Sequence, residues 1–424
     1  MRDEAGAPPR MLAAGGDHPH MKAMPRGALE GLSRVRADVD SGAARLAVTR
    51  LVLTDFRGYA AARLTVDERP VVLTGPNGAG KTNLLEAISF LAPGRGLRRA
   101  RLADIDRRVP PARPAEAPPG AWALAATVAT PRGAVQIGTG RDAASESGER
   151  RLLRIDGAPA KTQAALAEHV NLVWLTPQMD RLFTEGSAAR RRFLDRLVLG
   201  FDPEHAARVS AYEQAVRERA RLLRDGSADP VWLAALEGNM AEHGVAVAVA
   251  RRDVAARLDA VSAEAREPFP GARLAITGGI EEWLDAMPAL AVEDEFRGRL
   301  AASRRIDAES GATTTGPHRS DIAVRHAGTG MAAAECSTGE QKALLIAVLL
   351  AQARLQAALR GTAPVMLLDE VTAHLDGTRR AALFAEIQAL GAQAWLTGTE
   401  AGLFAELQGA GQFFSVADAA IAPG

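Results

Sequence analysis

Cysteine occurs once in the 424 residues, at Cys336, so no disulfide can form within the chain. A reduced, cytoplasmic protein is the expectation, because paired cysteines belong to oxidising compartments. No Cys/His cluster has the spacing of a zinc site, which leaves Mg²⁺ as the expected metal. No stretch approaches the roughly 20 uninterrupted apolar residues of a membrane span. The opening residues, Met1-Arg-Asp-Glu-Ala-Gly, lack the charged-then-apolar order of a secretory signal. Internal repeats and long heptad runs are missing, which excludes a solenoid or an extended coiled coil. Neither charge sign is in excess, Lys+Arg and Asp+Glu both standing at 51, so the global field argues neither for nor against nucleic acid. Lysine is scarce, confined to Lys22, Lys81, Lys161 and Lys342. A lysine that survives in so arginine-rich a chain marks a place where a compact point charge is wanted rather than a planar fork. Two of the four fall in the motifs below.

Residues 1–44 are rich in Ala, Gly, Pro and Arg without periodicity. They read as a disordered extension, or as an upstream over-extension with Met21 or Met24 the true start. Strands are expected at Leu46–Thr54 and Ala62–Val66, paired about Arg57-Gly58, and at Pro70–Thr74. A helix is expected to follow over Asn83–Leu91. Residues 110–119 are proline-rich and read as a surface loop. Further strands are expected across Ala121–Ile137, at Leu152–Ile155, and at Leu172–Leu175 before Pro177. From Ala188 to about Leu300 the pattern is helical, broken near Gly226–Pro230 and Pro268–Pro270. Two apolar strands, at Val365–Leu368 and Ala394–Thr397, flank a helix beginning near Thr378. The expected class is α/β: a nucleotide-binding lobe interrupted by an inserted helical lobe. The segments are 1–44, 45–187, 188–303 and 304–424.

Residues 75–82, Gly75-Pro76-Asn77-Gly78-Ala79-Gly80-Lys81-Thr82, have the spacing of a phosphate loop. Glycines let the backbone curl so that N–H groups point at phosphate oxygens, and the next helix adds its positive end. Lys81 is expected on the terminal phosphates and Thr82 on Mg²⁺. ATP or GTP binding follows. Asp369 and Glu370 close an apolar strand, where Asp369 can hold Mg²⁺ and Glu370 can polarise the attacking water. Ser337-Thr-Gly339-Glu340-Gln341-Lys342 opens a long apolar helix, a second anion site of hydroxyl, backbone N–H and helix dipole. One nucleotide does not need two such sites in one subunit. That is the arrangement of ABC-type ATPases, in which the signature of one subunit closes on nucleotide held by another.

A wider set of motifs carries a resemblance. Leu53-Thr-Asp-Phe56-Arg57-Gly-Tyr59, the phosphate loop with Asn83-Leu-Leu-Glu86-Ala-Ile, and Gly94-Arg95-Gly-Leu-Arg98 form its first part. Ala189–Asp195, Thr315-Gly-Pro317-His318-Arg319-Ser-Asp321, the signature, and Leu367–Asp376 complete it. Colinear from about residue 45 to 400, they resemble the RecF family of recombinational repair proteins. The resemblance implies an ABC-type P-loop ATPase head like those of SMC proteins, without a long coiled coil. It implies weak, DNA-dependent ATP hydrolysis with ATP and Mg²⁺, and an ATP-dependent homodimer on double-stranded DNA near single-strand gaps. It also implies work with RecR and RecO to load recombinase. Gln178 takes the Q-loop position on Mg²⁺ and γ-phosphate, Asp376 the D-loop and Thr399 the switch, within the span Thr397–Thr399. Asn83 joins the nucleotide-binding set. Departures are Gly58 where asparagine is usual, and Glu218-Arg219-Ala220 where Gln-Arg-Asn is usual.

Arginine clusters at Arg95/Arg98/Arg99/Arg101, Arg190/Arg191/Arg192 and Arg217/Arg219/Arg221/Arg224 are candidate DNA contacts, with solvated helix faces the bland alternative. Arg95, Arg98 and Arg99 are favoured because they follow the phosphate-loop helix. No aromatics interleave with them, so duplex backbone fits better than single-strand stacking. A transporter subunit, an SMC-like tether and a GTPase switch compete with this reading. The first would put histidine after the second acidic strand, the second would need a long coiled coil, and the third has no use for the signature.

Overall fold

A computed structural model describes residues 45–108, 120–145, 150–226 and 229–424. The expected extension at 1–44 and the loop at 110–119 lie outside the described residues.

Strands β1 (Ala47–Phe56) and β2 (Tyr59–Thr65) pair antiparallel around the Arg57-Gly58 turn. Strands β4 (Ala123–Thr130), β5 (Gly133–Arg141), β6 (Arg151–Ile155) and β7 (Ala158–Pro159) extend them into a six-stranded sheet. Alternation is visible in β1, which buries Val48, Leu51, Leu53 and Phe56 against the core.

The second six-stranded sheet positions the site. Its order is β14-β13-β3-β12-β11-β8. Here β3 is Val71–Thr74, β8 Leu172–Leu175, β11 Val365–Leu368, β12 Ala394–Gly398, β13 Gln412–Ala417 and β14 Ala420–Pro423. All but the β13–β14 pair are parallel. The inner strands are almost wholly buried, as a parallel sheet covered on both faces requires. Thr74 lies beside Gly398, and Leu368 lies beside both Leu396 and Leu175. The segments leaving β3, β8, β11 and β12 therefore emerge at one carboxyl edge, where open α/β sheets bind ligands.

Helix α1 (Lys81–Ser89) leaves that edge directly after the glycine loop. Helix α2 (Ser187–Leu199) packs Phe193, Leu194, Leu197 and Val198 into the main core, and helices α3 (His205–Asp225), α4 (Pro230–Ser262), α5 (Gly279–Ala286) and α6 (Ala289–Ser310) form the helical lobe. The boundary drawn at 303 falls inside α6. The first half of α4 packs Leu236, Met240 and Val245 into a lobe core with Tyr212 and Phe296, and its second half packs Val254 and Leu258 into the main core. One helix thus spans both cores. Helix α7 (Thr338–Arg360) is apolar enough to resemble a membrane span, but 83% of its apolar window is buried inside the protein, as in a core helix. Helix α8 (Gly377–Ala389) follows the acidic pair.

The helical reading of Ala188 to about Leu300, with breaks near Gly226–Pro230 and Pro268–Pro270, is corrected after the second break. Strand β9 (Ala272–Thr277) breaks it and pairs antiparallel with β10 (Asp321–His326), Ala272 opposite His326 and Thr277 opposite Asp321. The two form a separate two-stranded sheet.

Candidate nucleotide site

Gly75 carries φ 147°, and a Cβ there would sit 2.0 Å from the Val416 carbonyl oxygen of β13. Only glycine fits so close an approach. Gly80, the N-cap of α1, has φ 109° and lies against the Tyr59 ring, whose hydroxyl donates to the Gly80 carbonyl at 3.2 Å. The Phe56–Tyr59 motif thus backs the phosphate loop from behind. Lys81 is 5% exposed, and its ammonium donates to the carbonyls of Gly75 (2.6 Å) and Pro76 (2.8 Å). Burial pulls its pKa below the ordinary lysine value, and the nearby Glu370 and Asp369 carboxylates oppose that.

Asp369 gathers the hydroxyls. Thr82 donates to its Oδ1 at 2.9 Å and Thr397 donates to the same oxygen at 2.8 Å. The Thr397 oxygen in turn accepts the backbone N–H of Glu370 at 2.8 Å. Glu370 itself has φ 48°, a left-handed conformation uncommon for a residue with a side chain. One buried threonine therefore sets both acids. The sequence reading placed the switch at Thr399, which is exposed; Thr397 is the residue that touches the acids.

Gln178 lies in the 3₁₀ turn Pro177–Arg181 after β8, with its side chain exposed. Asn83 is engaged on α1: its amide oxygen accepts from Arg98 at 2.8 Å. Thr82 and Asp369 are hard oxygen donors already within 2.9 Å of one another, which fits Mg²⁺ held by one or two protein oxygens plus phosphate and water. No cluster of three or more His, Cys, Asp or Glu side chains suited to a metal occurs among the described residues.

The signature stands apart from this cluster. Ser337 is the N-cap of α7 in a complete capping box: it accepts from the Glu340 N–H, and the Glu340 carboxylate accepts from the Ser337 N–H at 2.9 Å and hydroxyl at 2.8 Å. Nothing lies within 4 Å of where a Gly339 side chain would be. No hydrogen bond joins Ser337 or Gly339 to residues 75–83 among the described residues. Gln341 turns inward, donating to the Cys336 carbonyl at 2.9 Å. Asp376 caps α8 by accepting the Arg379 N–H at 2.8 Å, its side chain exposed.

A link absent from the sequence reading joins these segments. The buried Lys342 ammonium donates to the Ala373 carbonyl at 2.6 Å and lies 3.5 Å from Asp180. It ties the signature helix to the turn between Glu370 and Asp376 and to the turn carrying Gln178.

The arginines divide. Arg98 pairs with Glu86 at 2.9 Å, a carboxylate it shares with Arg57. Arg190 grips Asp321 through two bonds of 2.8 and 2.7 Å, and Arg191 donates to the Ser320 carbonyl at 2.8 Å. Ala189–Asp195 and Thr315–Asp321 are thereby one joint, tightened by Arg251, which donates to the Pro317 carbonyl and to both oxygens of Asp195. Burial would raise the Asp195 pKa, but His205 and Arg251 override it and hold it at about 2. Arg219, read as part of a surface cluster, is fully buried and donates to Glu237 at 3.0 Å and Asp307 at 2.7 Å. His318 is structural: one ring nitrogen meets the Tyr212 hydroxyl at 2.6 Å and the other the Thr313 carbonyl at 2.9 Å. Burial pushes the Cys336 thiol pKa up, which suits a packing residue rather than a nucleophile.

Comparison with known proteins agrees with this architecture. Residues 47–420 match the family model of the RecF/RecN/SMC N-terminal domain. The DNA replication and repair protein RecF of Rhizobium rhizogenes is 52% identical over 376 residues, covering 88% of this chain and 98% of that protein. RecF of Rhizobium etli is 50% identical over the same span. Two solved structures of the recombination mediator protein RecF of the RecFOR pathway share the fold, one with ATPrS (TM-score 0.77, 89% of this chain, 98% of that one) and one with ATP (TM-score 0.74, 90% and 99%). Each is 20% identical to this chain. With a family model matching residues 47–420 and about half the residues shared with relatives covered almost end to end, the chain belongs to the RecF family of DNA replication and repair proteins, ATP-binding ATPases with an SMC-type head.

Proposed function

We propose that the chain is an ATP-controlled clamp on DNA, in which two copies close over nucleotide and hydrolysis releases them. The observation that carries this reading is the division of the site: Lys81, Thr82, Asp369 and Thr397 are gathered at one sheet edge, while Ser337 and Gly339 face outward with no bond to that edge. A single copy holds two half-sites.

Residues 75–83 cradle the phosphates, and Lys81 exchanges its loop carbonyls for phosphate oxygens. Thr82, Asp369 and Gln178 would hold Mg²⁺, which would neutralise phosphate charge there. Glu370 orients the attacking water and takes its proton. Ser337 and Gly339, with Glu340 and Gln341 shaping their turn, close on the γ-phosphate of the second copy. Asp376 meets the same interface, and the Thr397–Thr399 segment senses the γ-phosphate. The partners are duplex DNA near single-strand gaps, RecR and RecO, and hydrolysis is weak and stimulated by DNA. Arg95, Arg98 and Arg99 are candidate DNA contacts, although Arg98 must leave Glu86 to serve.

Binding of gapped and blunt duplexes, with and without ATP and RecR, tests the reading. Salt-sensitive binding strengthened by ATP is expected. Binding indifferent to both salt and ATP would overturn it. A transporter subunit is disfavoured by the β12 exit, Gly398-Thr399-Glu400, which lacks histidine.

A further inference from the structure

Helix α3 and the turn following α6 border an open groove of about 450 Å³ on the helical lobe. Arg217 and Arg224 line it from α3, and His318 and Arg319 from the Thr315–Asp321 motif. The rest of its wall is small or apolar, and no carboxylate among the described residues lines it. Arg319 is held in place by two bonds to the Thr313 carbonyl, at 3.2 and 3.0 Å. Arg217 has only a loose exposed contact with Glu213 at 3.7 Å, and Arg224 has no ion pair among the described residues. His318 has both ring nitrogens engaged, by Tyr212 and Thr313, and is part of the wall rather than a further cation.

We propose that this groove is a seat for the phosphodiester backbone of duplex DNA, an assignment that rests on the DNA-binding reading above. Three guanidinium groups line a groove of ligand size whose wall holds no carboxylate among the described residues. Among those residues only Arg217 of the three has an ion pair, the loose 3.7 Å contact with Glu213. Arg98 and Arg190 differ, their charge being met at 2.9 and 2.7 Å by Glu86 and Asp321. Arg217 and Arg224 are seven residues apart on one face of α3, about 10 Å along its axis at 1.5 Å per residue. A duplex strand places a phosphate about every 3.4 Å of axis, so the pair addresses a run of phosphates rather than a lone ion. No Trp, Tyr or Phe lines the cavity, so stacked bases have no platform there. The plain alternative is that Arg224, in the last turn of α3, only complements the negative end of that helix.

The test uses the full chain and a fluorescently labelled blunt duplex, with anisotropy read over a salt series. R217Q/R224Q alters only exposed side chains, and R217Q/R224Q/R319Q adds the anchored one; retained ATP binding by each reports an intact fold. Affinity is expected to fall about tenfold or more, and the slope of log K against log salt to weaken by about 0.9 for each phosphate contact removed. If the parent chain binds no duplex, the DNA-binding reading fails and the seat with it. If the parent binds and both variants match its affinity and slope, the seat alone is overturned. A loss of affinity with an unchanged slope, or loss of binding to polyglutamate but not to duplex, overturns it equally.

Discussion

At the nucleotide edge, Lys81 is buried against two loop carbonyls and Asp369 against two threonine hydroxyls. In the helical lobe, Arg219 is buried against Glu237 and Asp307, and Arg304 adds a second cation to Glu237 at 2.9 Å. Both regions hide charge. The edge satisfies it with neutral groups that can be exchanged, and the lobe satisfies it with opposite charges that cannot leave without leaving a partner stranded. The edge is therefore free to take a nucleotide polyanion, and the lobe is built to stay as it is. Changes at the edge should alter chemistry with little effect on folding; changes in the lobe should do the opposite.

The largest effect is expected at Arg219→Met. Glu237 and Asp307 would lose their buried cation, a cost of about 3–5 kcal/mol. Urea unfolding should record it, with ATP affinity of the surviving folded fraction unchanged. Next is Glu370→Gln, expected to slow hydrolysis about 10²-fold or more while leaving the unfolding midpoint and ATP-dependent dimer in place. Phosphate release and sedimentation check both halves. Third is acid stability. The folded Asp195 pKa of about 2 lies below the roughly 3.9 of an unfolded aspartate. Its contribution, about 2–3 kcal/mol, is complete above pH ~4 and is lost as pH falls towards ~2. Parent stability should drop over that window, and Asp195→Asn should lack that part of the drop. Smallest in stability is Ser337→Ala, which removes a helix cap worth about 1 kcal/mol. Its effect on ATP-dependent dimerisation should be far larger than that, which sets it apart from an ordinary cap.

Much of the edge was legible because its signals are local. Glycine spacing, a lysine in a chain almost without lysine, and two acids closing an apolar strand each lie within one turn of the chain. The topology then does the rest, since parallel strands bring their carboxyl ends together. Thr397 was harder to select from Thr397–Thr399: two threonines two residues apart look alike in sequence, and only the register of Leu396 beside Leu368 puts Thr397 next to Asp369. The β9–β10 pair was hidden by composition. Ala272-Arg-Leu-Ala-Ile-Thr buries alternate residues at its start, but its alanine and arginine match the helices around it, and Pro268–Pro270 was the one visible mark of a boundary. Arg219 was misread for a related reason. An arginine on a helix looks solvated until the acids that bury it arrive from α4 and α6, far along the chain. The Ser337–Glu340 capping box was readable in principle from its spacing, but an anion site and a cap share the same residues.

The composite ATP site is tested most directly by mixing two defective chains. Lys81→Ala removes the phosphate-loop charge and Ser337→Arg blocks the signature face. Each alone should lack ATP-dependent dimerisation and turnover. Together they form one intact site, from the phosphate loop of the Ser337→Arg chain and the signature of the Lys81→Ala chain. Mixing should restore turnover, to at most about half that of the parent chain. Turnover that stays absent in the mixture, or that persists in Ser337→Arg alone, would contradict a site built from two copies.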